Sequence, residues 1–281
     1  MSAPRGVRTL TLWCPDWPVA AAMLVDEVPL GMPVAVLRAN RVVSASVLAR
    51  AAGVRRGMRR REAQARCPDI EIVADDPGRD ARAFEPVVAA VEVFTPLVEI
   101  VRPGLLQFST RGPARYFGGD EPLAERVAAA VAGVLGCISS GTNVGAAVSS
   151  GTNGAEVLVR ISYSGSNKST PEPGDPEIPP ARIGIADGPF AAAVAARVPT
   201  PGGQGGVHIV NPGHSPAFLA PLPVSALAGA HPDQGAPGRG RLGLSRRGAA
   251  VTELDALRDM AELMVRLGIT TLGQLVALPP A

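Results

Sequence analysis

Val42-Val-Ser-Ala-Ser-Val-Leu-Ala-Arg-Ala-Ala-Gly-Val-Arg-Arg-Gly-Met58, continuing through Ala63-Gln-Ala-Arg-Cys-Pro68, is the stretch that decides the fold. Ser46 to Ala52 reads as a small-residue helix that stops at Gly53, since glycine tolerates the backbone turn a helix end requires. A second helix, about Arg59 to Arg66, ends before Pro68. Just upstream, Pro33-Val-Ala-Val-Leu37 and Arg41-Val-Val-Ser44 read as short strands across an Ala-Asn turn, and Glu71-Ile-Val73 reads as a strand edge.

Working outward, Leu10-Thr-Leu-Trp-Cys-Pro-Asp-Trp-Pro-Val-Ala-Ala-Ala22 holds the end of a strand over residues 7–13 and a helix from Pro18 to about Val25. An apolar strand that runs into a tight turn is a good mount for a metal-binding carboxylate. Here the strand ends in Trp13, Cys14 and Pro15, and Asp16 is read as the cap of the following helix. Residues 80–95 make an amphipathic helix with Ala83, Val87, Ala90, Val91 and Phe94 on one face. Val98–Arg102 and Leu105–Ser109 read as paired strands about a Pro103-Gly104 turn, Glu121 to Leu135 as a helix, and Ala181–Ala186 as a strand before a helix through Ala196. The mixture predicts an α+β fold.

Two stretches interrupt it. Residues 137–180 repeat Ser-Ser-Gly-Thr-Asn at 139–143 and 149–153 and end in a proline-rich run; they read as a linker-like insertion, with a β-hairpin around Val157 to Ser162 as one option. Ala228 to Gly248 is a second polar stretch, rich in Gly, Pro and Arg and expected to be mobile. Near the end, Glu262 to Leu278 predicts two short helices joined by Leu267-Gly268-Ile269, with Thr270 or Thr271 capping the second. Such a helix-hairpin-helix either aims backbone N–H groups at a phosphate or serves as a packing unit.

A hydrophobic content of 46% with 19% charged residues describes a globular chain that is not disordered. No apolar run is long enough to span a bilayer and no signal sequence is evident, so the cytoplasm is the expected compartment. Cys14, Cys67 and Cys137 lack metal or disulfide spacing, and His208, His214 and His231 read as loop residues. Arg50, Arg55, Arg56, Arg59, Arg60, Arg61 and Arg66 form a basic run that suits either a solvated helix face or a polyanion.

These elements, in this order, resemble a Y-family DNA polymerase of the DinB/UmuC type. The likeness is carried by the Val42–Met58 and Ala63–Pro68 stretch, by Phe218-Leu-Ala-Pro-Leu-Pro-Val-Ser-Ala-Leu227, and by the Leu-Gly-Ile-Thr-Thr-Leu-Gly hairpin. The resemblance implies a palm over 1–30 and 78–216 with the insertion at 137–180, small fingers over 31–77, and a thumb over 217–281. It implies that the family's little finger is absent and the thumb truncated.

The departures are as informative. Where the family holds two magnesium ions with palm carboxylates, the resemblance places Trp13 on the first strand and Pro103-Gly104 on the hairpin. Its triphosphate-contacting Tyr becomes Val47 with the matching arginine kept as Arg50, and its Asn-Lys becomes Gly188-Pro189. "Leu-Trp-Cys-Pro-Asp-Trp-Pro-Val" is similar to the start of the catalytically degenerate ImuB proteins of actinobacterial type. That likeness implies a hub in damage-induced translesion synthesis with no catalytic residues and no metal or other cofactor. Its partners would be the sliding clamp, a RecA-like accessory protein and a DnaE-type error-prone polymerase, near the nucleoid.

Three expectations follow. One is a non-catalytic scaffold that binds DNA through Arg50, Arg55, Arg56 and Arg59 and through Gly268, Ile269 and Thr270. Another is an active divergent polymerase whose magnesium is held by displaced acids such as Asp16 and Glu99. The third is a structural remnant without DNA affinity.

Overall fold

A computed structural model describes residues 6–26, 28, 31–139, 143–146, 161–164, 180–198, 206–227 and 249–278. The chain begins with β1 (Arg8–Trp13), α1 (Trp17–Val25), β2 (Val34–Arg38), β3 (Arg41–Ala45), α2 (Val47–Ala51), α3 (Arg60–Arg66), β4 (Glu71–Ala74) and α4 (Pro77–Glu92). It continues through β5 (Glu99–Arg102), β6 (Leu105–Ser109), α5 (Pro113–Phe117), α6 (Asp120–Ser139), β7 (Asn143–Ala146), β8 (Ile161–Ser164), β9 (Arg182–Asp187) and α7 (Pro189–Ala195). The last elements are β10 (Val207–Ile209), α8 (Ser215–Leu219), α9 (Ala249–Arg266) and α10 (Leu272–Val276). This is the expected α+β architecture.

Two compact units divide these elements, one formed by Met1–Trp13, Glu99–Glu125 and Arg182–Ala281, the other by Cys14–Val98 and Arg126–Ala181. The first unit contains a five-stranded sheet in the order β10-β9-β1-β6-β5. β1 is interior and antiparallel to both β6 and β9. Leu10 and Leu12 are fully buried and sit in register with Phe108 and Leu106 on one side and Ile185 and Ile183 on the other. Paired residues share a face, so this set is the apolar floor of the sheet.

The opposite face carries Thr9, Thr11 and Trp13, and α7 lies on it where Gly184 leaves room. A Cβ on Gly184 would stand 2.1 Å from the Ala192 carbonyl oxygen and 2.4 Å from the Ala196 nitrogen. Ala191, Ala192, Ala193 and Ala195 continue this close contact from the helix side. Strand β10, parallel to β9, contains His208, which corrects its reading as a loop residue: its ring packs 5.3 Å from that of Phe218. His214 remains in a turn, as the N-cap position of α8.

The second unit holds a three-stranded sheet, β3-β2-β4. The predicted Ala-Asn turn is present with Ala39 at φ 47° and Asn40 at φ 64°, the pair of left-handed residues that a tight two-residue hairpin demands. Ser46 ends β3 and begins α2: its hydroxyl accepts from the amides of Ala49 (3.2 Å) and Val34 (3.0 Å). Val42, Ala45, Ala49, Val54, Ala63 and Cys67 close the small core above it.

Helix α4 starts at Pro77, one turn earlier than its hydrophobic face indicates, because Asp76 caps it through the amides of Gly78 and Arg79. Trp17 joins α1 to α4: its indole N–H donates to the Asp80 carbonyl at 2.9 Å and its ring meets Phe84 edge-on at 5.0 Å. The tryptophan is therefore accounted for by this helix pair.

Within 137–180, β7 and β8 pair antiparallel. The pairing joins residues 143–146 to 161–164; the hairpin read around Val157 to Ser162 falls largely on residues 147–160, which lie outside the described set, as do Ala228 to Gly248 and His231. α5 had no counterpart in the sequence reading, since a five-residue helix is too short to show periodicity.

The tight α7–β9 contact yields a direct test. Gly184→Ala should lower the unfolding free energy by about 2–4 kcal/mol, because backbone rather than a flexible side chain blocks the methyl group. Urea unfolding that moved by less than about 0.5 kcal/mol would show that α7 is free to shift.

Candidate functional site

Trp13 ends β1 opposite Arg182 of β9 and Leu105 of β6, and Leu105 in turn pairs with Arg102 of β5. Arg182, Trp13, Leu105 and Arg102 therefore form one row across four strands, on the face that α7 covers. From the end of α7, Arg197 reaches the same indole. Its guanidinium carbon lies 5.1 Å from the ring centroid of Trp13 and that of Arg182 lies 5.8 Å away, so both make cation–π contacts. Arg197 also donates to the Ala193 carbonyl at 2.6 Å. Burial, reinforced by the charge of Arg102, pushes the Arg197 guanidinium down to about 10.

The second position expected to carry acids is a turn. Gly104 has φ 82°, and Arg102 donates to the Pro103 carbonyl. Proline followed by a left-handed glycine is the type II turn pattern that closes the β5–β6 hairpin. At the third position, Gly188 (φ 98°) precedes α7 and Pro189 occupies its first turn, where proline brings no donor. Among the described residues no group of three His, Cys, Asp or Glu side chains is placed to hold a metal. Magnesium requires clustered oxygen ligands, and the residues at Trp13, Pro103 and Gly104 offer none; the site does not fit the ion.

The displaced acids are committed elsewhere. Asp16 occupies the N-cap position of α1 in a left-handed conformation (φ 50°), but its side chain caps nothing, which corrects that expectation. Its carboxylate forms an ion pair with Arg50 and accepts from the Ser44 hydroxyl, and its backbone carbonyl receives the amides of Val19 and Ala20. The guanidinium draws the carboxylate away from the helix. Glu99 on β5 accepts from the Gln107 side chain at 2.7 Å.

The basic run is spread over the α2–α3 segment. Arg50 is half-buried and held by Asp16 and the Ala45 carbonyl. Arg55, Arg56 and Arg59 are exposed. The Arg55 side chain donates to the carbonyls of Arg50 (2.8 Å) and Val54 (3.1 Å), and Arg59 bridges to Arg41 as it leads into α3. The structure thus gathers Arg55, Arg56 and Arg59 on one exposed connection while Arg50 orders its base. Val47, at the first position of α2, is 54% exposed.

In the C-terminal hairpin Thr271 caps α10 and makes a capping box with Gln274. The amides expected to meet phosphate already have partners. Gly268 N–H donates to Val265, Ile269 N–H to Met264, and Thr270 N–H to the Gln274 carboxamide at 2.8 Å. Leu272 and Gly273 donate to the Leu222 and Ala220 carbonyls, which stitch the hairpin to the Phe218–Leu227 segment. Internal hydrogen bonds thus occupy the three amides, those of Gly268, Ile269 and Thr270, that the sequence assigns to phosphate.

Residues 14–148 match the model of the impB/mucB/samB family. Solved structures with the same fold include a Dbh ternary complex with partially disordered substrates, at 15% identity and TM-score 0.58, matched over 96% of this chain and 60% of that one. A DinB-family error-prone DNA polymerase from Sulfolobus solfataricus is similar at 15% identity and TM-score 0.53, over 97% of this chain and 60% of that one. The chain carries the Y-family polymerase fold. It spans about 60% of the length of those two structures. No curated protein shows significant similarity to it. Among the described residues no helix is long and apolar enough to cross a membrane.

Sequence reading singled out Trp13 but missed Arg102, Arg182 and Arg197. The three arginines lie far apart along the chain, and only strand register and the α7 packing bring them together. Relief of an unmatched cation makes Arg197→Met informative. We expect it to leave stability unchanged or raise it by about 1 kcal/mol in urea unfolding, since an apolar side chain of similar length removes repulsion with Arg102. A loss above about 1 kcal/mol would mean the ring contact and the Ala193 hydrogen bond outweigh that repulsion.

Proposed function

We propose that this chain is an ImuB-like, non-catalytic member of the Y-family superfamily that binds DNA without sequence preference and acts as a scaffold in damage-induced translesion synthesis. The observation that carries this reading is the environment of Trp13. At the strand end where the resemblance expects a metal-binding carboxylate, an indole is flanked by Arg182 and Arg197, and the adjacent hairpin closes with Pro103-Gly104. Two-metal phosphoryl transfer needs anionic oxygen at that place. Arginine there favours phosphate and disfavours divalent cations.

The DNA surface in this reading is the connection bearing Arg55, Arg56 and Arg59, supported by the Asp16–Arg50 pair beneath it. At the thumb hairpin a phosphate would act by exchange, taking the place of the Gln274 carboxamide at the amides of Thr270 and Thr271. A sliding clamp, a RecA-like accessory protein and a DnaE-type polymerase are the partners the ImuB likeness implies. No cofactor has a role in this scheme. The neighbouring structures include a ternary complex of a Dbh polymerase, which supports a fold able to sit on DNA. A soluble, nucleoid-associated location follows from such a role.

Template-directed primer extension should give no incorporation with magnesium or manganese, for the wild-type chain and for Asp16→Ala and Glu99→Gln alike. Incorporation lost on Asp16→Ala would sink the scaffold reading. Primer–template binding should persist and weaken steeply with salt, and combined reversal of Arg55, Arg56 and Arg59 to Glu should weaken it at least about tenfold. Equal binding by that variant would remove the fingers as a DNA surface.

A further inference from the structure

Among the described residues, two arginines set into the fold, Arg8 and Arg79, are each neutralised by two acids. Arg8 is held by Asp120 at 2.7 Å and Asp187 at 3.4 Å, and Arg79 by Asp26 at 2.7 Å and Asp80 at 3.0 Å. Arg182 and Arg197 break the pattern. Among the described residues neither has a carboxylate partner; each has instead the face of Trp13, and Arg197 has the Ala193 carbonyl as well. Arg102 adds a third cation close enough to repel Arg197.

Cations such as Arg182 and Arg197, which have no carboxylate partner among the described residues, lower the stability of a fold unless something anionic joins them. The geometry is that of a receptor. Two guanidinium groups approach one indole, all three side chains are only half-buried and so reachable from solvent, and the β-sheet rows and α7 fix where they start. Each guanidinium has five donors in a planar fork, and Arg197 commits one nitrogen to the backbone. Tetrahedral phosphate oxyanions match such forks bidentately. Among the described residues no cluster of metal-binding side chains lies here, so a phosphate held here is neutralised by arginine alone.

We propose that Arg182 and Arg197, with Arg102 beside them, form a metal-independent phosphate-binding site walled by Trp13, which takes the phosphate of a nucleotide or of a nucleic-acid strand. The inference uses the Y-family fold but not the adaptor role, and it concerns residues outside the fingers. Its signature is a sign. A polymerase recruits triphosphate together with magnesium, whereas here magnesium competes with the arginines for the same oxygens.

The test measures inorganic tripolyphosphate, a deoxynucleoside triphosphate and a 5′-phosphorylated single-stranded oligonucleotide binding to the full chain in EDTA, by calorimetry. Trp13 fluorescence is followed in a Trp17→Phe variant, in which it is the sole indole. The expected result is saturable binding without metal, weakened severalfold by excess magnesium, with a change in the Trp13 signal. Arg182→Met and Arg197→Met should each reduce affinity at least about tenfold, Arg197→Lys less, with thermal unfolding confirming the fold of each variant.

Tight binding of tripolyphosphate with weak binding of the oligonucleotide assigns the site to free nucleotides; the reverse assigns it to strand phosphates. Binding that requires magnesium, binding unaffected by folded Arg182→Met and Arg197→Met, or no binding by any of the three probes overturns the proposal. If Trp17→Phe does not fold, calorimetry on the wild-type chain decides alone. The variant with Arg55, Arg56 and Arg59 reversed separates the two ideas: it should keep this site while losing primer–template affinity.

Discussion

Strand β1 is hydrogen-bonded on both sides, and this fixes what can stand at its end. An interior strand cannot slide by one residue without turning Leu10 and Leu12 out of the apolar floor and exposing the alternate face to it. Trp13 is therefore locked in register between Leu105 and Arg182. Gly184, one row further into the sheet, lets α7 come close enough for Arg197, just past its end, to lie over the indole. The chemistry at this corner follows from two local facts, a strand that cannot shift and a glycine that admits a helix.

Charge is treated differently in the two units. In the one containing α1 to α4, the buried Arg79 is surrounded by acids, and Asp16 is spent holding Arg50 at the base of the exposed arginine connection. Burial pushes the Asp80 carboxyl up against the pull of Arg79, and Arg79 in turn fastens α4 by donating to Asp26 and to the Pro18 carbonyl. In the unit containing the five-stranded sheet, acids hold Arg8 but leave Arg182 and Arg197 to an aromatic face. An aromatic quadrupole offsets only part of the cost of desolvating a cation.

Much of this was legible from sequence because the signals are local. The Ala39-Asn40 turn, the stop at Gly53, the Pro103-Gly104 hairpin and the threonine cap of the last helix each depend on a few adjacent residues, and each is found where the sequence places it. What was not legible depends on distance. β10 is three residues long and pairs parallel to β9, so no alternation or turn announces it. The pairing of 143–146 with 161–164 crosses a long low-complexity interval. Asp16 looked like a helix cap because its position is one, yet an ion pair with Arg50, more than thirty residues on, takes the side chain. The hairpin amides looked available because sequence shows a turn and not the carbonyls that fill it.

The same constraints explain why acids placed at positions 13, 103 and 104 would not by themselves make this corner a metal site. Position 104 has a left-handed backbone that suits glycine, so an acidic side chain there would strain the hairpin that positions it. A carboxylate at position 13 would meet Arg182 beside it in the sheet and Arg197 above it, and would form salt bridges of the kind that already hold Arg8. Magnesium binds carboxylates weakly when guanidinium groups compete for the same oxygens at close range. A metal site here would therefore require removal of the arginines and re-forming of the turn as well as new acids. As its residues stand, with two guanidinium groups over an indole and no cluster of metal-binding side chains among the described residues, the corner suits an anion better than a cation.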